Sequence, residues 1–217
     1  MGFAGFGAGL VGLYDGLAAD NSRAYCLAHK EVYERDVAAP LRALANALEP
    51  DFGEAKLFRP HRDVRFSLDK RPYQEHASLA VLGAGAGLYL QISPDGLMLA
   101  GGAWRPARDQ LDRFRRAVDD EVVAAELDRT LARLARAGFP LDEGDPVATA
   151  PRGWSREHPR IDLLRRRSLT VSHLHDPAPW WHTSELLDVV RGGWRHVAVL
   201  NSWWHDHVGP STAQRER

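Results

Sequence analysis

The residues best equipped for chemistry lie in one run, Phe58-Arg-Pro-His-Arg-Asp-Val-Arg-Phe-Ser-Leu-Asp-Lys-Arg-Pro-Tyr-Gln-Glu-His76. Read at period two, Val64, Phe66 and Leu68 fall on one face, and Asp63, Arg65, Ser67 and Asp69 on the other. Asp63 and Arg65 lie two apart on that face, close enough for the carboxylate to hold the guanidinium fork in a fixed direction. A fork already oriented loses less entropy when it grips a carboxylate or phosphate with two parallel bonds. Asp69-Lys70 leads into Pro72, which forces extended backbone and aims Lys70 and Tyr73 consistently. Such a set suits recognition of a small anion, or stabilisation of charge developing on oxygen. The candidate ligand-binding residues are therefore Arg59, Arg62, Asp63, Arg65, Ser67, Asp69, Lys70 and Tyr73. Arg62 and Arg65 would be the grip, Asp63 the orienter, Lys70 a second cation and Tyr73 a hydroxyl donor. The same residues could instead form an internal ion-pair network tying a strand to a helix.

Elements on either side must position this run. Residues 56–59 and 62–68 have strand character. Upstream, residues 8–19 read as a helix, and Asn21 or Ser22 can cap a second helical stretch through Leu27, Tyr33 and Val37. Pro40 breaks or restarts that stretch, and Leu41, Leu44 and Leu48 carry its apolar stripe onward. Downstream, residues 87–93, the turn Pro94-Asp95-Gly96 and residues 97–100 form the clearest hairpin. Pro106 suits the first position of a helix bearing Leu111, Phe114 and Val118. A second helix starts at Asp119-Asp120-Glu121 and ends at Gly138. A loop (142–152), a short basic helix (159–167), a strand (168–175) and a closing helix from Thr183 or Ser184 complete the chain. Strands between helices, without regular βαβ alternation, predict an α+β fold. The expected organisation is a single domain over 1–208, with an antiparallel sheet packed by several helices and a polar, frayed tail at 209–217.

Composition narrows the class further. The chain has 217 residues, enough to bury a core without disulfide or metal. Lys+Arg (28) nearly balances Asp+Glu (29), so no global field draws it to nucleic acid or to an anionic membrane. No apolar run reaches the ~18 residues of a membrane span. One cysteine, Cys26, excludes an internal disulfide framework and points to a reducing, cytoplasmic location. The N-terminal glycines 7, 9 and 12 spell G-x-G-x-x-G, but no strand can precede them, so they read as a chance cluster. Charge is locally uneven: residues 56–76 carry six Lys/Arg against three acids, and residues 152–167 six against two.

The long motif Arg59-x-x-Arg62-Asp63-Val64-Arg65-Phe66-Ser67-x-Asp69-Lys70-x-Pro72-Tyr73 closely resembles the signature of a bacterial and fungal family, domain of unknown function 2461. Asn21-x-Arg23, Lys30-x-x-Tyr33, Tyr89, Gly102-x-Trp104-x-Pro106, Arg115, Ala150-Pro151-Arg152-Gly153 and His158-Pro159-x-Ile161-x-Leu163-Leu164 fall where the family would have them. The resemblance covers nearly the whole chain and implies a single α+β domain. The family has no established reaction, so it supplies no catalytic residue. Ser22, Tyr25 and Gln74 depart from its usual Asn, Trp and Lys, and Gly192-Gly193 should loosen the last helix.

Other signals are weaker. His173-Leu-His175 and His205-Asp-His207 each place two imidazoles close together, but zinc needs three or four converging groups. No metal and no cofactor is expected. Cys26 reads as a small core residue. No Gly-x-Ser-x-Gly elbow, Walker loop or His-Glu-x-x-His occurs. Trp180-Trp181 and Trp203-Trp204 could stack on bases, but beside Pro177, Pro179 and Leu200 they read as core. Three functions remain, in this order: a pocket for a small phosphate- or carboxylate-bearing ligand, a structural or protein-interaction module, and nucleic-acid binding.

Overall fold

The computed structural model describes residues 2–65 and 68–213. The candidate Ser67, with Phe66, lies outside the described residues. In chain order the elements are α1 (Gly9–Ala19), α2 (Arg23–Ala28), α3 (Lys30–Tyr33), a π-helical turn (Glu34–Ala38), α4 (Ala39–Phe52), β1 (Ala55–Leu57) and β2 (Ala77–Leu82). Then come β3 (Gly87–Ser93), β4 (Gly96–Ala103), α5 (Arg108–Asp119), α6 (Glu121–Arg136), α7 (Ile161–Leu164), β5 (Leu169–His175), a 3-10 turn (Pro179–His182) and α8 (Glu185–His207). The strands form one antiparallel sheet in the order β1-β2-β3-β4-β5. The expected α+β class is what the chain adopts. Two units can be distinguished, one of residues 1–81, 89–99 and 174–192, the other of 82–88, 100–173 and 193–217. Strands β3, β4 and β5 and helix α8 each run from one into the other, so the chain is a single α+β domain.

In the first unit, Ser22 caps α2 by accepting the Tyr25 N–H at 3.1 Å. Helices α1 and α4 bury Leu10, Leu13 and Leu17, and Leu41, Leu44 and Leu48, at spacings of three and four. Each fully buried leucine contributes about 2 kcal/mol of transfer free energy. Pro40 does not break the stretch. It sits in the first turn of α4, where its missing donor leaves the Asp36 carbonyl without an i+4 partner. The Gly7 N–H takes that carbonyl at 2.9 Å, and the Gly9 N–H donates to the Asp36 carboxylate at 3.1 Å. A Cβ at Gly7 or Gly9 would lie 2.3 Å from Asp36 side-chain atoms. Gly7 and Gly9 thus have a structural cause: only bare backbone can approach Asp36 this closely.

In the second unit, Asp120 caps α6 by accepting the Val122 and Val123 N–H groups, both at 3.0 Å. Helix α5 begins two residues after Pro106, and the Gln110 side chain accepts the Ala107 N–H at 3.0 Å. Trp194, Trp203 and Trp204 are buried along α8, which runs unbroken through Gly192-Gly193. The expected basic helix over 159–167 shortens to α7, because Arg165, Arg166 and Arg167 are drawn to backbone carbonyls instead. The tail is also tied down as far as Thr212. Asp109 accepts bonds from the Ser211 hydroxyl and the Thr212 N–H, both at 2.8 Å. These bonds hold its carboxyl far below the ordinary carboxylate range.

Candidate functional site

The candidate run starts from a two-armed neck. One arm continues β1 and the other leads into β2: Leu57 pairs with Leu79, and the Phe58 N–H donates to the Ser78 carbonyl at 3.0 Å. Farther out, the Arg62 N–H donates to the Pro72 carbonyl at 2.8 Å and the Gln74 N–H to the Pro60 carbonyl at 2.7 Å. His61 and Tyr73 face one another between these bonds, their rings 4.9 Å apart. Asn21 locks the neck from the α1–α2 junction. Its side-chain amide accepts the Tyr73 N–H at 3.0 Å and donates to the Tyr73 carbonyl at 3.2 Å and to Glu75 at 3.0 Å.

Beyond the neck the expected strand over 62–68 does not form in the described residues. The Asp and Arg alternation belongs to two local turns instead. Asp63 accepts the Arg65 N–H at 3.3 Å, and Asp69 accepts the Arg71 N–H at 3.0 Å. In each turn an aspartate holds the backbone two residues on, and the same carboxylate then grips that residue's guanidinium. Arg65 donates Nε and Nη2 to Asp63 at 2.9 and 2.6 Å. Arg71 donates Nε and Nη2 to Asp69 at 3.0 and 2.7 Å and Nη1 to Glu75 at 2.6 Å. A spacing of two therefore reads here as a turn period rather than a strand period.

Arg62 differs from both. Among the described residues only its Nη1 is engaged, donating to Asp69 at 2.6 Å. Its Nε–Nη2 edge, the edge that grips a planar oxyanion, has no partner among the described residues. Asp69, pulled by Arg71 and Arg62 together, is held far below the ordinary carboxylate range, and Asp63 is lowered by Arg65. Lys70 donates to the Val64 carbonyl at 3.1 Å, which folds it back on its own loop. Arg59 is exposed, with no side-chain partner among the described residues. Tyr73 is buried. Burial raises the pKa of the Cys26 thiol more strongly than Tyr73 lowers it.

The seven candidates among the described residues thus do not converge on one point. Arg62 and Asp69 come together, joined by Arg71, Glu75 and Asn21. Asp63 and Arg65 form a separate exposed pair, while Lys70 and Tyr73 point elsewhere. The residues missed in the sequence are Arg71, Glu75 and Asn21. The repeat Asp63-x-Arg65 and Asp69-x-Arg71 was the available signal for Arg71. His76 is half-buried just before β2, and burial and the Arg62 charge lower its pKa, outweighing the opposing effect of Glu75. Two residues on, in β2, is Ser78, and burial raises the Tyr89 pKa more strongly than Ser78 lowers it. Tyr89 donates to Gln91 at 3.0 Å, and Phe58 meets its ring edge-on at 6.2 Å.

Other candidates find ordinary partners. His173 Nδ1 lies 2.7 Å from the Gly138 carbonyl and His207 Nε2 lies 3.3 Å from Glu126. Among the described residues no three His, Cys, Asp or Glu side chains gather as a metal would need. Trp181, Trp203 and Trp204 are core residues and offer no face to a base. No helix among the described residues is long and apolar enough to cross a membrane.

A family model described as "Conserved hypothetical protein (DUF2461)" matches residues 10–203. The chain belongs to the domain of unknown function 2461 family. The match spans the neck, both Asp-x-Arg turns, His76 and most of α8, so these features lie within the family's domain. No curated protein and no solved structure matches the chain.

Proposed function

We propose that the protein binds a small anionic ligand at the 59–76 segment, with Arg62 as the principal contact. One observation carries this reading. Of the three loop arginines at 62, 65 and 71, Arg62 is the one whose Nε–Nη2 edge is unspent among the described residues. Asp69 fixes its far nitrogen, and the Asn21-locked neck fixes its backbone, so the fork is oriented before a ligand arrives. Arg59, exposed at the base of the neck, supplies further positive charge. Arg65, expected as half of the grip, has its fork committed to Asp63 and contributes mainly field.

Inorganic phosphate, added to the full chain and followed by thermal unfolding, tests the reading. At 100 times its dissociation constant it stabilises by about 2.7 kcal/mol, roughly 5–10 °C for a domain of this size. Arg62→Ala should abolish the shift while Arg65→Ala keeps most of it. No shift with phosphate, sulfate or citrate would sink the reading.

The alternative is a purely structural network, favoured by the pairing of Arg65 and Arg71 to carboxylates on both sides of the loop. In that case Arg62→Ala lowers the melting temperature and changes no ligand response.

A further inference from the structure

Resting on the Arg62 reading and going beyond it, we propose that the oxyanion it takes is the phosphate of a lipid headgroup, and that the 62–72 loop docks on an anionic bilayer surface with Leu68 inserted. The loop leaves the neck where the Arg62 N–H meets the Pro72 carbonyl, so Leu68 stands near the middle of the excursion. Lys70 donates to the Val64 carbonyl at 3.1 Å, tying the two sides of the loop together around Leu68. The Leu68 side chain is fully exposed. A lone exposed leucine is ordinary, but this one differs in the charges that flank it. Asp69, the next residue, gathers the Arg62 and Arg71 guanidinium groups at 2.6 and 2.7 Å. Lys70 follows, and Arg65 stands three residues before Leu68. Residues 62–71 hold four cations against two aspartates, within a chain whose net charge is -1. The surplus is therefore local, and it lies beside an aliphatic side chain that has no packing to lose.

An uncovered aliphatic side chain set among surplus positive charge selects the partner. Nucleic acid would satisfy the cations and leave Leu68 in water, because an aliphatic group has no face to stack on a base. A protein partner requires a broad complementary face, which one loop does not offer. A bilayer interface satisfies both groups at once. Its anionic headgroups attract Lys and Arg over a Debye length, and the acyl boundary beneath them takes the leucine. The Nε–Nη2 edge of Arg62, open among the described residues, fits two oxygens of one phosphate. The neck bonds and the Asn21 lock hold the backbone before contact, so docking orders few residues. Such a contact needs no spanning helix. One leucine and a small charge surplus give weak, reversible binding rather than anchoring.

Co-sedimentation of the full chain with vesicles reads this directly. Vesicles of phosphatidylcholine and phosphatidylglycerol in equal parts should carry the protein down, and vesicles of phosphatidylcholine alone should not. Leu68→Ser should weaken that binding about tenfold, the effect of removing one inserted side chain. It should leave the melting temperature and the thermal shift with inorganic phosphate unchanged, because a fully exposed side chain supports neither. Arg62→Ala should weaken both vesicle binding and the phosphate response. If phosphate shifts thermal unfolding but the mixed vesicles carry nothing down, this inference falls and the Arg62 reading stands. If the vesicles bind Leu68→Ser as tightly as the unaltered chain, the leucine is not inserted and the inference is overturned. Binding of a single-stranded oligonucleotide that ignores Leu68→Ser, with no binding to vesicles, would make the partner a nucleic acid. If phosphate gives no shift and Arg62→Ala leaves vesicle binding intact, the Arg62 reading falls and the headgroup assignment falls with it.

Discussion

Two arginine-rich segments of this chain solve the same physical problem in opposite ways. Around residues 59–76, guanidinium groups are met by carboxylates: Asp63 for Arg65, and Asp69 for Arg62 and Arg71. At Arg165–Arg167 they are met chiefly by backbone carbonyls. Arg165 donates to Val147 at 2.7 Å, Arg166 to Asp142 at 2.6 Å and Arg167 to Asp145 at 2.9 Å, together pinning the 142–147 loop. Arg167 also pairs with the Asp145 carboxylate. A carbonyl partner satisfies the fork, carries no net charge and does not titrate. A carboxylate partner orients the fork, can be protonated and can compete with an incoming anion. The first arrangement fastens a loop, while the second holds charge ready at a surface. Equal basicity in the sequence therefore conceals two different uses.

The largest effect should come from the fastening segment. Arg166 is half-buried, and burial lowers its pKa, so its bond to the Asp142 carbonyl is made in a poorly solvated place. Arg166→Ala should cost about 2–3 kcal/mol in thermal or urea unfolding, the range for a lost bond to a charged group. The phosphate response should be unchanged. If Arg166→Ala is neutral, the distinction between the segments is lost.

Asn21→Ala should come next, at about 2 kcal/mol, because two bonds to the Tyr73 backbone disappear at roughly 1 kcal/mol each. Unlike Arg166→Ala, it should also weaken phosphate binding, since the neck orients Arg62. Retention of full phosphate affinity would separate the lock from the site.

Asp69→Asn should lower the melting temperature by less than either, and slacken both Arg62 and Arg71. Its signature is an altered phosphate affinity at nearly constant stability, measured by calorimetry on the folded protein.

Acid sharpens the contrast. Arginine partners depress Asp63 and Asp69 below the 3.8 of an unperturbed aspartate. Their contribution is complete above that value and is lost as pH falls through the lower folded-state values. The Nε–H resonances of Arg65 and Arg71 should therefore move on acidification below pH 3.8, while those of Arg165 and Arg166 stay in place until the chain unfolds. The smallest effect belongs to Arg65→Ala. Its pair is exposed on both sides, and no change in melting temperature should be seen.

Much of the architecture could be read from local pattern. The 87–100 hairpin and its Pro94-Asp95-Gly96 turn, the Ser22 cap, helix α6 with its Asp120 cap and with Gly138 just past its end, and the buried tryptophans of α8 all follow from short-range chemistry. The site was only half legible. Composition marked residues 59–76 as unusual, but the spacing of two between Asp and Arg fits a strand face and a side-chain-capped turn equally well. Neighbouring strands decide between them, and here Pro60 and Pro72 deny the outer arms the donors a ladder would need.

By itself, the order of residues determined the fold class, most of the helix caps, and where charge would accumulate, because propensity, capping and turn preferences act over a few positions. Tertiary structure alone decided which guanidinium edge stays open among the described residues, that Asn21 reaches across the chain to Tyr73, and that Gly7 and Gly9 answer to Asp36. Those outcomes depend on which distant groups arrive to consume each donor, and a hydrogen bond spanning more than fifty residues leaves no trace in local spacing.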